Sequence, residues 1–208
     1  MDCIESFAGD DASITSYPGS PLITRILLRS QDRMAAYELH PEDFITLKEQ
    51  FVGDYQARVT ALDGWMALTG HVPPKEKRGA VLIDPPFEAT TEFETAASKL
   101  LEAYKKWPGG TYAFWYPAKT RRSVETFVQT FNSAKIPDVL RLEMAIADQK
   151  PDGPMVATGM VIINPPYTLE DEAQILLPWL TTCLSTDANV QKNKSSSARH
   201  LIEVVSQG

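Results

Sequence analysis

The chain has 208 residues, 43% of them hydrophobic and 23% charged, which is the composition of a globular protein and the length of a single domain, 1–208. It contains no run of about 18 apolar residues and no apolar segment directly after Met1, so we expect neither a membrane span nor a secretory signal. Cys3 and Cys183 are too few for a disulfide framework or a four-cysteine zinc site, and we expect a reducing cytoplasm and no metal. Twenty basic and 27 acidic residues give a net charge of −7, which excludes binding to nucleic acid by bulk charge but allows a local basic groove.

Strand-like and helix-like segments alternate along most of the chain. Residues 1–16 show little pattern and are interpreted as a loop or the remnant of an insertion. Ser20 in front of Pro21 predicts the N-cap of a first helix. The later predicted elements are, in order, a strand at 33–39, a helix from Pro41, strands at 57–62 and 79–83, a helix at 93–107, a strand at 111–116, a helix at 121–134, strands at 139–147 and 156–163, a helix at 169–184, and a polar tail at 185–208 with a possible last strand.

This alternation predicts an α/β fold with a mostly parallel sheet. The run at 79–83 is uniformly apolar, which is typical of a strand buried on both faces. The strands at 139–147 and 156–163 are joined by a loop without a helix, so we expect an antiparallel edge strand. Ligands of α/β folds bind beyond the carboxyl ends of the strands, and the residues that terminate strands are therefore the candidates for a site.

Three consecutive strands end in an acid: Glu38, Asp63 and Asp84. An acid after the second strand of such a fold commonly accepts hydrogen bonds from ribose hydroxyls. Asp63 is followed by Gly64, and this pair could receive an adenine amino group, the glycine leaving room for close approach. Solvation explains any one of these acids, but three at successive strand ends favour a nucleotide-like cofactor.

The tetrapeptide Asp84-Pro-Pro-Phe87 is the most specific local signal. The prolines stop the strand and hold the backbone extended, so that the Asp84 side chain and the Pro85 carbonyl become two adjacent acceptors. Together with the ring of Phe87 they would suit a planar base that bears an exocyclic amine. The pattern recurs at Asn164-Pro-Pro-Tyr167, which we interpret as a structural copy because its strand comes late and at the sheet edge.

Basic residues occur in three groups that could contact RNA, and simple solvation is an equally good explanation for each. The group that follows the strand at 111–116 ranks first, because it lies after the carboxyl end of a strand. The groups are Lys75, Lys77 and Arg78; Lys105 and Lys106; and Lys119, Arg121 and Arg122.

The chain resembles class I S-adenosylmethionine-dependent methyltransferases of the N6-adenine type and, more narrowly, the RlmJ family, which methylates an adenine of 23S ribosomal RNA. The matching stretches are Tyr17-Pro-Gly-Ser-Pro-Leu-Ile, Glu38-Leu-His-Pro, Asp63-Gly, Leu82-Ile-Asp-Pro-Pro-Phe, Gly110-Thr-Tyr-Ala-Phe-Trp-Tyr-Pro and Ile162-Ile-Asn-Pro-Pro-Tyr.

The resemblance implies a Rossmann-like sheet, S-adenosylmethionine as cofactor and 23S ribosomal RNA as partner. It further implies that Asp84 is catalytic and that Pro85 and Phe87 bind the substrate adenine, where family members usually carry tyrosine in the place of Phe87. The residues implied in cofactor binding are Ser20, Glu38, Asp63, Gly64 and Asp84.

In one respect the chain departs from the family pattern. A class I sheet has a central first strand that ends in a glycine-rich turn, and no such strand or turn is found here. We therefore expect that the first strand is absent from this chain, and with it the front of the family's domain. Its absence would leave the edges of two neighbouring strands unpaired.

Three other functions stay open at this stage. The chain could be a DNA adenine-N6 methyltransferase, or a non-catalytic nucleic-acid-binding protein linked to the use of external DNA. A nicotinamide-dependent oxidoreductase is weakened by the lack of a Gly-x-Gly-x-x-Gly motif. Three histidines offer no cluster of metal ligands, and we expect a monomer rather than an oligomer.

Overall fold

The computed structural model describes residues 17–148, 153–185 and 199–206. The predictions for residues 1–16 and for most of the tail at 185–208 concern positions outside these described residues. The chain divides into two compact units, Met1–Gly70 and His71–Gly208.

The first unit is a small α/β arrangement around two strands. Strands β1 and β2 pair in parallel, with Glu38 opposite Ala61, so that their carboxyl ends lie at the same edge. The described elements are α1 (Ser20–Leu27), β1 (Met34–Glu38), α2 (Pro41–Gln50), β2 (Ala57–Ala61) and α3 (Gly64–His71), which ends at the first residue of the second unit.

The second unit contains a five-stranded sheet in the order β3-β4-β6-β5-β7. Strands β3 and β4 are parallel, and each of the other three pairings is antiparallel, so β3, β4 and β5 run one way and β6 and β7 the other. Its elements are β3 (Ala80–Ile83), α4 (Glu92–Lys106), β4 (Thr111–Pro117), α5 (Arg121–Ser133), β5 (Val139–Ala145), β6 (Ala157–Ile163), α6 (Leu169–Leu184) and β7 (Arg199–Ser206). Among the described residues, no helix is both long and apolar enough to cross a membrane.

The α/β class, with parallel pairs and an antiparallel edge strand, is confirmed, and β7 is that edge strand. The strand before Asn164 was expected at the edge, which is wrong: β6 lies between β4 and β5. The sequence analysis assigned no element between the strand at 57–62 and the strand at 79–83, and the first part of this segment forms α3. The N-cap of α1 is Gly19 rather than Ser20, because Gly19 holds the extended conformation that precedes the helix.

Strand β3 was expected to be buried on both faces, and this is also wrong. Ala80 and Leu82 are exposed, Leu82 to 51%. Within the described residues β3 pairs only with β4, and β1 pairs only with β2. Apolar strands with a single neighbour have fewer atoms to cover them, which explains the exposure.

Aromatic side chains form the core between the sheet of the second unit and helices α4 and α5. The ring of Phe127 lies at the centre, with ring centroids 4.9 Å from Phe114, 5.0 Å from Phe131 and 5.3 Å from Phe93. Such tilted contacts add about 0.5–1.5 kcal/mol per pair beyond the burial of apolar area. These rings fix both helices against β4.

A buried charge cluster joins β4, β5, β7 and α5. The guanidinium of Arg141 is completely buried and donates to Oε1 of Glu143 at 2.6 Å and 2.9 Å, and to Glu125 and Glu203 at 3.1 Å and 3.0 Å. The hydroxyl of Tyr116 donates to the same Glu143 oxygen at 2.9 Å. Burial opposes the charge of Arg141, but the hydrogen bonds and charge of Glu143 outweigh it and raise the pKa of Arg141. Burial, and then the negative charge of Glu143, raise the pKa of Tyr116.

We predict that Gly159→Ala destabilises the second unit. A Cβ at this position would lie 2.4 Å from the Tyr116 ring, which cannot move aside without breaking its bond to Glu143. Overpacking of this kind costs about 1–3 kcal/mol, measurable by chemical denaturation. Gly109→Ala is the matched control, since a Cβ there meets nothing within 4 Å. Equal stability of the two variants would contradict the packing at Gly159.

Candidate active site

The parallel pairing of β3 and β4 creates one edge of the second unit at which two loops begin. Ile83 pairs with Phe114, so Asp84 and the residues after Pro117 emerge at the same edge of the sheet. We call this the carboxyl edge. Carboxyl ends of parallel strands are the usual location of ligands in α/β folds.

The turn at Asp84-Pro-Pro-Phe87 has an unusual backbone. Phe87 has a φ of 52°, in the left-handed region that a bulky side chain rarely adopts. A conformation of this kind costs about 1–3 kcal/mol and persists only where the surroundings enforce it. Pro85, two residues before Phe87 in the same turn, is buried and helps to fix the turn.

The Asp84 side chain lies at the surface of this turn. The atoms packed around the carboxyl remove part of its hydration and raise the pKa of Asp84 above its usual range. No hydrogen bond or ion pair to the Asp84 carboxylate is found within the described residues. A partly dehydrated carboxylate is a strong acceptor for an N–H group of a ligand.

The ring of Phe87 is half-buried against other aromatic side chains. Its centroid lies 5.1 Å from that of Phe93, 5.9 Å from Phe114 and 6.0 Å from Trp115. These contacts explain how a strained φ is maintained, because ring packing offsets the backbone cost. Part of the ring stays accessible beside Asp84.

In the first unit, β1 and β2 bring Glu38 and Asp63 to one edge. Glu38 is opposite Ala61, two residues before Asp63. Oε1 of Glu38 accepts from the backbone N–H of His40 at 2.8 Å, and Oδ1 of Asp63 accepts from that of Met66 at 2.8 Å. Each carboxylate therefore has one oxygen engaged, while its second oxygen accepts no hydrogen bond within the described residues.

Asp63 thus acts as the N-cap of α3, a role that the sequence interpretation missed together with the helix. At Gly64, the first residue of α3, an added Cβ would meet nothing within 4 Å, so the space above it is open. Ser20 is the exposed first residue of α1, and its carbonyl accepts from the hydroxyl of Thr24 at 2.8 Å.

Asn164 has a structural role, as predicted, although the reason differs from the expected edge position. Its Nδ2 donates to the carbonyls of Pro108 and Gly110, both at 2.7 Å, and it holds a left-handed φ of 51° that asparagine tolerates. Tyr167, the aromatic residue of this copy, is 96% exposed. The side chain of Asn164 is therefore used in fixing the loop before β4.

The first-ranked basic group divides into structural and exposed members. Arg121 pairs with Glu143 at 2.9 Å and with Glu125 at 2.8 Å, so its charge has partners within the protein, and its role as an RNA contact stays a prediction. The carboxylates of the buried charge cluster compete for its guanidinium. Lys119 and Arg122 are exposed near the carboxyl edge and make no ion pair within the described residues.

Glu143 positions the beginning of α5 through Arg121, and sequence reasoning did not identify it. A signal was present: Arg141 and Glu143 are two residues apart in an otherwise apolar strand, which places both on one face. Two charges on the inner face of a strand predict a buried pair. Their partners on α5, β4 and β7 could not be read from spacing.

Comparisons with known proteins define the family. The family described as "Ribosomal RNA large subunit methyltransferase D, RlmJ" matches residues 1–195. Ribosomal RNA large subunit methyltransferase J from Escherichia coli K12 is 41% identical over 164 residues, which are 79% of this chain and 59% of that protein. The protein of the same name from Haemophilus influenzae is 40% identical over 168 residues, 81% of this chain and 60% of that protein.

A solved structure shares the fold. Protein LPL1258 from Legionella pneumophila superposes with a TM-score of 0.86 at 30% identity, over 98% of this chain and 72% of that one. The chain therefore has the α/β fold of that structure. The chain belongs to the RlmJ family of ribosomal RNA large subunit methyltransferases. It spans about 60% of the length of the two curated relatives.

We predict that Asp63→Ala lowers the free energy of unfolding by about 1 kcal/mol, because it removes the cap of α3. Asp63→Asn should change it by no more than a few tenths, since asparagine caps helices as well as aspartate does. Chemical denaturation followed by circular dichroism measures both. Equal destabilisation by the two substitutions would show that the charge, rather than the cap, stabilises α3.

Proposed function

We propose that the protein transfers a methyl group from S-adenosylmethionine to N6 of an adenine in 23S ribosomal RNA. Membership of the RlmJ family supports this reaction. The observation that carries it is the turn after β3, where an exposed, partly dehydrated carboxylate adjoins a half-buried aromatic ring. An acceptor beside a ring suits a base with an exocyclic amine.

In this proposal Asp84 is the catalytic residue and acts on the amine of the base. The Asp84 carboxylate and the Pro85 carbonyl accept its two hydrogens, which orients the nitrogen lone pair away from the chain and makes the nitrogen more nucleophilic. Phe87 stacks on the adenine and fixes the ring plane. Most of the rate enhancement comes from positioning in a site that excludes water.

The residues proposed to hold the cofactor fit a nucleoside with hydroxyl and amino groups. Glu38 and Asp63 each offer a carboxylate oxygen at the same edge of the β1–β2 pair, and open space lies above Gly64. Ser20 and Asp84 complete the proposed contacts. S-adenosylmethionine supplies, when bound, the methyl group on a positively charged sulfur. In addition to accepting hydrogen bonds, the negatively charged carboxylates favour the binding of a positively charged cofactor.

Strands β1 and β3 each have one neighbour among the described residues, and the expected absence of a first strand stays a prediction. We further propose that the protein acts as a monomer in the cytoplasm, where ribosomal RNA is found.

We predict that Asp84→Asn lowers the rate of methyl transfer to 23S ribosomal RNA by about 100-fold, because an amide replaces a charged acceptor with a group that also donates. Transfer of a tritiated methyl group from S-adenosylmethionine measures the rate.

Glu88→Gln is the matched control for this prediction. Glu88 is an exposed acid four residues further along the same loop, and its substitution removes the same charge. It should leave the rate within about twofold of the wild type, as surface changes away from special features usually do. Full activity of Asp84→Asn, or an equal loss in Glu88→Gln, would show that Asp84 has no specific role.

A further inference from the structure

The two loops that precede β3 and β4 meet at the edge opposite to Asp84. Because β3 and β4 are parallel, their amino ends lie together, and the backbone N–H of Thr111 donates to the carbonyl of Gly79 at 3.1 Å. The ring of Trp107 packs between these loops: a Cβ at Gly79 would lie 3.0 Å from it, and one at Gly110 only 2.3 Å. We call this the amino edge, and Trp107 is closely packed there.

Five basic side chains surround this junction, all of them exposed: Lys75, Lys77, Arg78, Lys105 and Lys106. We call them the basic edge patch. Lys106 pairs with Glu102 at 2.9 Å, and no ion pair within the described residues involves the other four. Glu76 is the acid inside the patch. The patch therefore has an excess of positive charge, although the whole chain carries −7.

Acidic residues bound the patch on one side. The first turn of α6 contains Glu170, Asp171 and Glu172, all exposed. Strand β6 is antiparallel to β4, so the chain leaves β6 toward this same amino edge before α6 begins. A polyanion at this edge would be attracted to the β3 side and repelled from the β6 side. The charges therefore favour the β3 side of this edge as the place where a chain of phosphates binds.

We propose that the basic edge patch binds phosphates of the RNA backbone at a distance from the methylated base. The inference rests on the proposed function, since it assigns a second contact to the same RNA. Strand β4 separates the two edges, and its seven residues span about 23 Å at about 3.3 Å each. That length corresponds to about seven nucleotides at about 3.4 Å per nucleotide.

The composition of the patch favours RNA over an acidic protein as its partner. In residues 72–79 and 105–110, which are all described, no large apolar side chain is exposed. Protein interfaces place apolar and aromatic side chains at their centre, whereas phosphate contacts require only basic groups and tolerate solvent. Long, flexible lysines suit the backbone of a nucleic acid, whose sequence they do not read.

The test compares two variants of the full chain that lose the same charge. The patch variant combines Lys75→Gln, Lys77→Gln and Arg78→Gln. The control variant combines Lys48→Gln, Arg58→Gln and Arg199→Gln, three exposed basic residues that are not part of the basic edge patch. Fluorescence anisotropy measures binding of an RNA hairpin of about 25 nucleotides and a single strand of about five nucleotides, which is too short to reach both edges.

We expect the patch variant to bind the hairpin about tenfold more weakly and to lower the slope of log affinity against log salt by about 2 to 3. Its affinity for the short strand, which can occupy only one edge at a time, should fall less than its affinity for the hairpin, and the control variant should bind both RNAs like the wild type. Equal weakening of hairpin binding by both variants, or unchanged hairpin binding by the patch variant, would overturn the proposal. Polyglutamate serves as the probe for an acidic protein partner: a patch variant that loses polyglutamate binding but keeps hairpin binding would also overturn it.

Failure of the patch and failure of the proposed function give different results. If the wild type binds the hairpin through the patch but transfers no methyl group, the patch stands and the methyltransferase function fails. If methyl transfer depends on Asp84 while the patch variant binds the hairpin like the wild type, the function stands and the patch is wrong.

Discussion

The buried guanidinium of Arg141 is the constraint on which the five-stranded sheet depends. It lies on β5, and its carboxylate partners come from β5, α5 and β7, while Tyr116 on β4 shares the same Glu143 oxygen. Losing one partner of a buried ion pair costs about 3–5 kcal/mol, because a charge is then left without compensation. The cluster therefore requires these elements to keep one register. It also fixes the beginning of α5, which Glu143 holds through Arg121.

The candidate site depends on that register indirectly, through aromatic side chains. Phe93 lies between Tyr116, at 6.0 Å, and Phe87, at 5.1 Å, so the rings connect the charge cluster to the turn that carries Asp84. Packing of these rings offsets the left-handed backbone of Phe87. A strained turn that is held by rigid neighbours presents its carboxylate in one orientation, which is what a positioned acceptor needs. The two prolines alone would end the strand without aiming the side chain.

Sequence alone predicted most elements, since hydrophobic period and proline positions are local properties. Helix α6 was predicted at 169–184 and is observed at Leu169–Leu184. Helix α3 was missed because its apolar residues, Trp65 and Met66 among them, do not form a stripe along one face. In addition, the glycine at its first position is typical of a turn. The place of β6 inside the sheet could not be predicted, because strand order depends on pairings between residues far apart in the chain.

The candidate residues could be identified from the sequence for a related reason, but some of their structural roles could not. Strand ends can be recognised locally, so Glu38, Asp63 and Asp84 were identified. That Asp63 also caps a helix, and that Arg121 is held by Glu143, follow from partners that only the folded chain brings together. Family membership supports the proposed function, and the choice of N6 as the modified atom is a proposal that rests on the acceptor and the ring at the Asp84 turn.

Identification of the product tests that central claim most directly. Unmodified 23S ribosomal RNA would be incubated with the protein and isotopically labelled S-adenosylmethionine, digested to nucleosides and analysed by mass spectrometry. An acceptor pair that holds an exocyclic amine predicts one labelled product, N6-methyladenosine. A label on another base or on a ribose would contradict the role of Asp84, and the absence of any label would contradict methyl transfer by this chain.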